Sequence, residues 1–142
     1  MTAYLDASVL LPTLVNEKAS EAVDKLLLAT SDDLPISDFA RAEVASAMSR
    51  LVRTNLLNTT DAMTRLAAFD IWRATMTSTP AMAASDARLA DVFVRRFDLM
   101  LRAPDALHVA ICRRLDLTLV TLDRRLANTA RALDLRVQIP GS

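Results

Sequence analysis

Short apolar runs that alternate with segments of helical periodicity are the feature that most constrains the fold of this chain. The runs at 3–5, 34–36, 118–121 and 136–139 predict short strands, because each is a few residues long and is bounded by polar residues or by a helical pattern. No Asn-Gly or similar dipeptide joins two runs into a hairpin. Strands separated by helices pair in parallel, so the sequence predicts a parallel α/β sheet with helices on both faces.

Helices are predicted wherever apolar residues recur at intervals of three and four. Ser37 or Asp38 suits the N-cap of the third helix, and Pro104 suits the first turn of the sixth. The polar run 31–33 ends the second helix, and 77–84 is predicted to be a loop. The predicted helices cover 8–14, 18–29, 38–53, 61–76, 86–96, 104–115 and 123–133.

Length and composition indicate one domain over residues 1–142. Apolar residues make up 52% of the chain, which is enough for a single core. The one glycine, Gly141, excludes glycine-rich phosphate loops. With Cys112 as the one cysteine, the chain forms no intramolecular disulfide and no cysteine zinc cage.

The sequence carries no targeting signal that we recognise. No basic segment precedes an apolar run near Met1, so no signal peptide is predicted. No apolar stretch reaches the roughly 18 residues that a membrane helix needs. Together with the single cysteine, these features favour a cytoplasmic protein without a membrane partner.

Charge is balanced, with 17 basic and 17 acidic residues. A net charge of zero does not indicate nucleic-acid binding, so any such surface must be a local patch. All basic residues except Lys18 and Lys25 are arginine, which suits bidentate phosphate contacts. We prefer to explain the excess of arginine over lysine by a bias in the base composition of the genome.

Four acidic residues fall where strand ends and helix starts are predicted to meet. Asp6 and Asp123 directly follow the first and third predicted strands. Glu43 lies in the early turns of the helix after the second strand, and Asp105 in the first turn of a later helix. The carboxyl ends of parallel strands share one edge of a sheet, where ligands bind. We therefore expect these four carboxylates to lie close together.

Carboxylates that converge in this way repel one another. Two unit charges 4 Å apart cost roughly 4 kcal/mol at an effective dielectric constant of about 20, so a divalent cation or bound protons must offset the repulsion. An all-oxygen site favours Mg²⁺ or Mn²⁺ over zinc. Such ions catalyse phosphodiester hydrolysis, and the expected product end is a 5′-phosphate. For each acid taken alone, helix capping or solvation is the simpler interpretation.

Four segments of the chain resemble PIN-domain ribonucleases, and within them most closely the VapC-type toxins of toxin–antitoxin pairs. They are Tyr-Leu-Asp-Ala-Ser-Val-Leu (4–10), Arg-Ala-Glu-Val (41–44), Arg-Ala-Pro-Asp-Ala-Leu-His-Val-Ala (102–110) and Leu-Val-Thr-Leu-Asp (119–123). The last two together are the most specific. The resemblance implies one PIN-like domain with four or five parallel strands. A glycine that is common in the family before the last segment is absent, and Asp116 lies nearby instead.

The resemblance also implies the chemistry of the site. Ser8 and Thr121 would support the acids by hydrogen bonding. The family's substrates are RNA, frequently tRNA or ribosomal RNA. A homodimer and a cognate antitoxin that blocks the site are the implied partners. The implied catalytic acids, which bind Mg²⁺ or Mn²⁺, are Asp6, Glu43, Asp105 and Asp123.

Several residues near the acids have two interpretations. Arg102, Arg124 and Arg125 flank the acids and are candidates for RNA phosphate contact, with solvated helix ends and ion pairs as the alternative. His108 and Cys112 share a helix face, but two ligands are too few for zinc. We interpret both as packed residues, His108 with a hydrogen bond, and a general-base role for His108 is the alternative.

Two further features lie apart from the four acids. Asp86 fits a helix start better than it fits an auxiliary acid of the site. The apolar stripe Phe69, Trp72 and Met76 is equally consistent with a core and with a surface for a second subunit or an antitoxin.

The leading hypothesis is a metal-dependent endoribonuclease that acts as a toxin. A housekeeping PIN nuclease of RNA maturation would have the same features, and an adjacent small antitoxin gene would distinguish the two. A non-catalytic binding module is disfavoured because all four acids are present. An aspartate phosphotransfer domain of the haloacid type requires Asp-x-Asp after the first strand, whereas this chain has Asp6-Ala7-Ser8.

Overall fold

Three short parallel strands form the sheet at the centre of the molecule, seen in a computed structural model that describes residues 2–30 and 33–142. Strand β1 (Ala3–Leu5) pairs with β2 (Thr118–Val120), with Ala3 opposite Thr118. Strand β3 (Val137–Gln138) lies on the other side of β2, which gives the order β1-β2-β3. The predicted parallel α/β fold is therefore confirmed for the described residues.

The helices lie close to where periodicity predicted them. Ser37 caps the third helix, since its Oγ accepts a hydrogen bond from the Ala40 N–H at 3.0 Å. Of the polar run predicted to end the second helix, residues 31 and 32 lie outside the described residues. The helices are α1 (Ala7–Leu14), α2 (Ser20–Ala29), α3 (Asp38–Arg53), α4 (Thr59–Met76), α5 (Ala84–Val94), α6 (Ala103–Leu115) and α7 (Arg124–Ala132), with a short 3₁₀ helix at Phe97–Leu99.

The predicted second strand, 34–36, does not join the sheet. Pro35 makes an isolated parallel bridge to Ser78, in which the Ile36 N–H donates to the Ser78 carbonyl at 2.8 Å and the Ser78 N–H donates to the Leu34 carbonyl at 3.1 Å. Pro35 has no N–H for a neighbour on its other side, so the ladder stops there. The described residues thus form three strands, against the four or five that the resemblance implied.

Helices cover both faces of the sheet, as predicted. Side chains alternate between the two faces along a strand. Leu5 and Val120 pack with the first layer, which we define as α1 to α4. Tyr4 and Leu119 pack with the second layer, which we define as α5 to α7. Within the described residues, no helix is both long and apolar enough to cross a membrane.

Candidate active site

Asp6 lies immediately after β1 and is the most deeply buried of the four acids, with 5% of its surface exposed. The Ser8 hydroxyl donates to its Oδ1 at 2.5 Å, and the Thr121 hydroxyl donates to its Oδ2 at 2.7 Å. Although Asp6 precedes α1, its side chain makes no capping hydrogen bond to that helix. Asp6 therefore holds the N-cap position of α1, while its carboxylate is bound by the two hydroxyls.

Ser8 and Thr121 also hold together the loops that follow the strands. The Leu122 N–H donates to the Ser8 Oγ at 2.9 Å, and the Asp123 N–H donates to the Thr121 Oγ1 at 3.0 Å. Each hydroxyl donates to Asp6 and accepts from a backbone N–H, so it is satisfied in both roles. The structure thus places both hydroxyls on Asp6, whereas the resemblance implied a place beside Asp123 for Thr121, whose Oγ1 also accepts from the Asp123 N–H.

Asp123 and Asp105 face a common cavity at the same edge of the sheet. Asp123 is exposed and caps α7, since its Oδ1 accepts from the backbone N–H groups of Arg125 and Leu126 at 3.0 and 3.1 Å. Asp105 is half-buried in the first turn of α6, where Arg102 and not Asp105 holds the N-cap position. Both carboxylates line a cavity of about 230 Å³.

The charges of the other three acids act on Asp105. Burial raises the pKa of Asp105, and the charges of Asp123, Asp6 and Glu43 raise it further, while His108 opposes them. Burial likewise raises the pKa of Asp6, against the lowering effect of its two hydroxyl donors. Carboxylates whose ionised form is disfavoured in this way are stabilised by a cation between them. At Asp105, therefore, burial and the charges of the other three acids act in the same direction.

Glu43 reaches the site from α3 and is held by a histidine. Its Oε1 lies within hydrogen-bonding reach of the His108 Nε2, and 31% of its side chain is exposed. His108 is buried in α6, and its Nδ1 lies 2.6 Å from the Tyr4 hydroxyl. Cys112 is buried one turn later, so packing is confirmed for both. Sequence reasoning missed the partners Glu43 and Tyr4, since no spacing relates them to His108.

The described side chains at this sheet edge have the chemistry that a hard divalent cation requires, but they do not form an enclosed metal site. Across residues 2–30 and 33–142, no three acidic, histidine or cysteine side chains lie close enough to enclose a metal ion as they stand. The available donors are nevertheless carboxylate oxygens, and those of Asp105 and Asp6 have raised pKa values from burial. Carboxylate oxygens are the donors that Mg²⁺ and Mn²⁺ prefer, so the chemistry of this donor set fits such an ion.

The three flanking arginines lie in different settings. Arg102 is exposed on the rim of the cavity shared by Asp105 and Asp123. Arg125 lines the same cavity, but it donates to the Met100 carbonyl at 3.1 Å, while Arg124 donates to the Ser142 hydroxyl at 3.4 Å. Arg102 is therefore the best placed of the three to contact a phosphate.

The family model of the PIN domain matches residues 3–132 of the chain. That span covers most of the sequence, including all four acids, both supporting hydroxyls and the whole of β1 and β2. The chain belongs to the PIN domain family, as the four motif segments indicated.

Several solved structures, one of them of a toxin, have the same fold. VapC20 of Mycobacterium tuberculosis, a sarcin–ricin loop cleaving toxin, is 16% identical with a TM-score of 0.72, over 89% of this chain and 94% of its own. VapBC2 of Rickettsia felis, bound to a DNA fragment from its promoter, is 15% identical with a TM-score of 0.71, over 98% of both chains. FitAcB of Neisseria gonorrhoeae is 17% identical with a TM-score of 0.69, over 98% of both. At these identities the likeness shows the fold, and no curated protein sequence matches the chain.

Proposed function

We propose that this protein is a Mg²⁺- or Mn²⁺-dependent endoribonuclease that acts as a VapC-type toxin. The proposal is supported by four acids of a PIN-family chain, two of which line one cavity, while the charges of the other two act on Asp105. The acids are Asp6, Glu43, Asp105 and Asp123.

The chain's own residues have distinct parts in this reaction. Asp6 is fixed by two hydroxyls, so its carboxylate is oriented before any ligand arrives. Asp105 and Asp123 face the cavity that receives the scissile phosphate, and Arg102 on its rim contacts a neighbouring phosphate. When bound, the divalent cation supplies Lewis-acid stabilisation of the phosphate and of the leaving 3′ oxygen. No 2′-hydroxyl takes part, and the product carries a 5′-phosphate.

The partners follow from the same proposal. The substrate is RNA, with tRNA and ribosomal RNA as the first to test. We also propose a cognate antitoxin, a homodimer and a cytoplasmic location. The toxin–antitoxin complexes of Rickettsia felis and Neisseria gonorrhoeae support the antitoxin through their shared fold.

Cleavage of an RNA pool with Mg²⁺ or Mn²⁺, followed by sequencing of new 5′ ends, tests the activity. Wild-type protein should produce discrete 5′-phosphate ends, and Asp6→Asn and Asp105→Asn should produce none above background. Equal cleavage by all three proteins would identify a contaminating nuclease and refute the proposal. Toxicity that an adjacent small gene suppresses distinguishes a toxin from a housekeeping nuclease.

A further inference from the structure

A buried chain of hydrogen bonds runs from the start of α3 to Glu43. The Ala40 N–H donates to the Ser37 Oγ at 3.0 Å, and the Ser37 Oγ lies 2.8 Å from the Tyr4 hydroxyl. The Tyr4 hydroxyl lies 2.6 Å from the His108 Nδ1, and the His108 Nε2 contacts the Glu43 Oε1. Tyr4, Ser37 and His108 are each 1% exposed or less. Three fully buried polar side chains thus lead to one partly exposed carboxylate.

The direction of donation along this chain follows from the groups at its ends. A glutamate carboxylate only accepts, so the His108 Nε2 carries a hydrogen, and in the neutral ring Nδ1 is then the acceptor. Burial raises the pKa of Tyr4, so its hydroxyl keeps the proton that it donates to Nδ1. The Tyr4 oxygen accepts from the Ser37 hydroxyl, whose oxygen accepts from the Ala40 N–H. This single arrangement satisfies every group in the chain.

The histidine also connects two layers of the molecule. His108 lies on α6 in the second layer, three residues after Asp105, so the two side chains lie on one face of that helix. Glu43 lies on α3 in the first layer. The His108 ring is fixed between Tyr4 and Phe39, with ring centroids 5.5 and 5.2 Å away. A rigid ring on the helix of Asp105 therefore holds the carboxylate of Glu43.

We infer that His108, oriented by Tyr4 and Ser37, is a positioning residue that keeps Glu43 directed at the metal site, an inference that rests on the proposed function. A glutamate side chain has several rotatable bonds, and Glu43 also borders an open groove between α1 and α3. The bond from Nε2 selects the conformation that faces the other acids. Both ring nitrogens are occupied, so His108 does not serve as a general base.

Mn²⁺ titration calorimetry of the purified protein tests the inference without relying on activity. Partners that orient a metal ligand typically affect metal affinity by about 10-fold. Tyr4→Phe and His108→Asn should therefore weaken Mn²⁺ binding about 10-fold, since Asn cannot reach Glu43. His108→Gln places a donor close to the Nε2 position and should stay within about threefold of wild type.

A matched control separates positioning from a general loss of stability. Thr118→Val also removes a buried hydroxyl of the sheet, at the strand end away from the acids, where Thr118 accepts from Arg136 at 3.3 Å. It should leave the Kd for Mn²⁺ unchanged. In a Glu43→Gln background, Tyr4→Phe should have no further effect, because the two residues act through one contact.

The single histidine allows a direct spectroscopic measurement, since the chain contains one His. Two-bond ¹H–¹⁵N spectra near neutral pH should show the Nε2–H tautomer in wild type and a tautomer mixture in Tyr4→Phe. Two results would overturn the inference but not the proposed metal site. One is a protonated Nδ1 in wild type. The other is a Mn²⁺ affinity that falls in Asp105→Asn but is unchanged in Tyr4→Phe and His108→Asn. Absence of Mn²⁺ binding by wild type would overturn the metal site and the positioning role with it.

Discussion

Asp6 is a buried carboxylate whose two oxygens are held by hydroxyls from different parts of the chain. Ser8 follows it by two residues, whereas Thr121 comes from the end of β2. Burying a charge without partners is costly, and these two donors offset part of that cost. The result is a carboxylate that keeps its orientation in the absence of any ligand, as the proposed metal site requires of Asp6.

Asp105 should destabilise the metal-free fold. Burial and the charge of Asp123 raise the pKa of Asp105 in the folded protein. Below the unfolded pKa of about 3.9, Asp105 is protonated in both states and does not destabilise the fold. As pH rises through the pKa of the folded state, the carboxylate ionises and that stability is lost. At neutral pH, Asp105→Asn should raise the free energy of unfolding by about 0.5–2 kcal/mol. Urea denaturation without metal measures this gain, which should shrink towards acidic pH.

The control for Asp105 is Asp24→Asn, which neutralises an exposed acid on α2. It should leave stability nearly unchanged. A loss of stability in Asp105→Asn at neutral pH would contradict the electrostatic account of the site. Added Mn²⁺ should stabilise wild type and should not stabilise Asp105→Asn, since ligands stabilise only the state that binds them.

At the scale of residues, the sequence predicts which side chains gather but not how they are held. Asp6, Asp105 and Asp123 follow from strand ends and helix starts, because position in the chain fixes position in a parallel sheet. The contact between Glu43 and His108 joins residues 65 positions apart, and it depends on how α3 and α6 pack. No local pattern encodes that packing.

The start of α7 shows one element serving two purposes. The Asp123 Oδ1 caps the helix through two backbone N–H groups. Asn is an equally good N-cap residue, whereas Ala is not. The free energy of unfolding of Asp123→Asn should therefore stay within about 0.5 kcal/mol of the wild-type value, and that of Asp123→Ala should be lower by about 1 kcal/mol. Thermal unfolding measures both.

The affinity for Mn²⁺, unlike the free energy of unfolding, should fall in both Asp123 variants. Both lack the carboxylate charge, so both should bind Mn²⁺ far more weakly in calorimetry. Mn²⁺ affinity of wild-type strength in Asp123→Asn would show that Asp123 is a cap and nothing more.

Helices α5 and α6 are joined by a buried ion pair. Asp86 is 1% exposed and accepts from the Arg114 Nε at 2.7 Å, from its Nη2 at 3.0 Å and from the Ala83 N–H at 2.8 Å. Arg114 also donates to the Ala81 carbonyl at 2.6 Å. Asp86 thus lies in the first turn of α5, where a helix start was predicted, and it also ties the preceding segment to α6.

Asp86→Asn should lower the free energy of unfolding by about 1–3 kcal/mol at neutral pH, because it breaks hydrogen bonds to a charged partner. Arg114 holds the pKa of Asp86 below its ordinary value. The contribution of Asp86 is therefore present above the unfolded pKa of about 3.9 and is lost as pH falls through the lower folded value. Chemical denaturation across pH 3–7 should show the wild type and variant converging in acid, roughly over this pKa range.

Asp91→Asn is the matched control for Asp86, since it removes the exposed pair that Asp91 forms with Arg95 at 3.1 Å on α5. Exposed pairs within one helix contribute little. An equal loss of unfolding free energy in Asp86→Asn and Asp91→Asn would show that burial of Asp86 has no special effect.

At the scale of elements, helices were easier to predict than strands. A helix satisfies its backbone within one segment, so apolar periodicity and a cap such as Ser37 are enough to locate it. A strand needs a partner elsewhere in the chain. The run 34–36 is apolar, but its partner is Ser78 in a predicted loop, and Pro35 ends the pairing.

The whole molecule consists of two helical layers on a small sheet, and Cys112 lies within the second of the two apolar cores. Burial raises the pKa of this thiol, and reagents attack the thiolate. In the native protein, Cys112 should therefore react with a thiol reagent only when the core around it opens transiently. A colorimetric thiol assay should show slow labelling that urea accelerates and Mn²⁺ slows.

A variant with Cys112→Ala and Ser46→Cys is the control for this labelling, because Ser46 is exposed on α3. Its thiol should react at the rate of the unfolded protein, with or without Mn²⁺. Rapid labelling of Cys112 in the native wild type would contradict a closed second layer.

The fold class of the whole molecule was predictable because alternation of strands and helices allows few arrangements. The extent of the sheet was not, since it depends on pairings between distant segments. Net charge of zero gave no information on an interaction surface, because that depends on where residues such as Arg102 come to lie.

The pairing of β1 with β2 has a consequence for the protein while it is being synthesised. Ala3 pairs with Thr118, and the acids that line the cavity, Asp105 and Asp123, belong to the last third of the chain. A nascent chain that has left the ribosome only as far as α4 has neither the central strand nor two of its four acids. The proposed activity is therefore absent until translation of the chain itself is nearly complete.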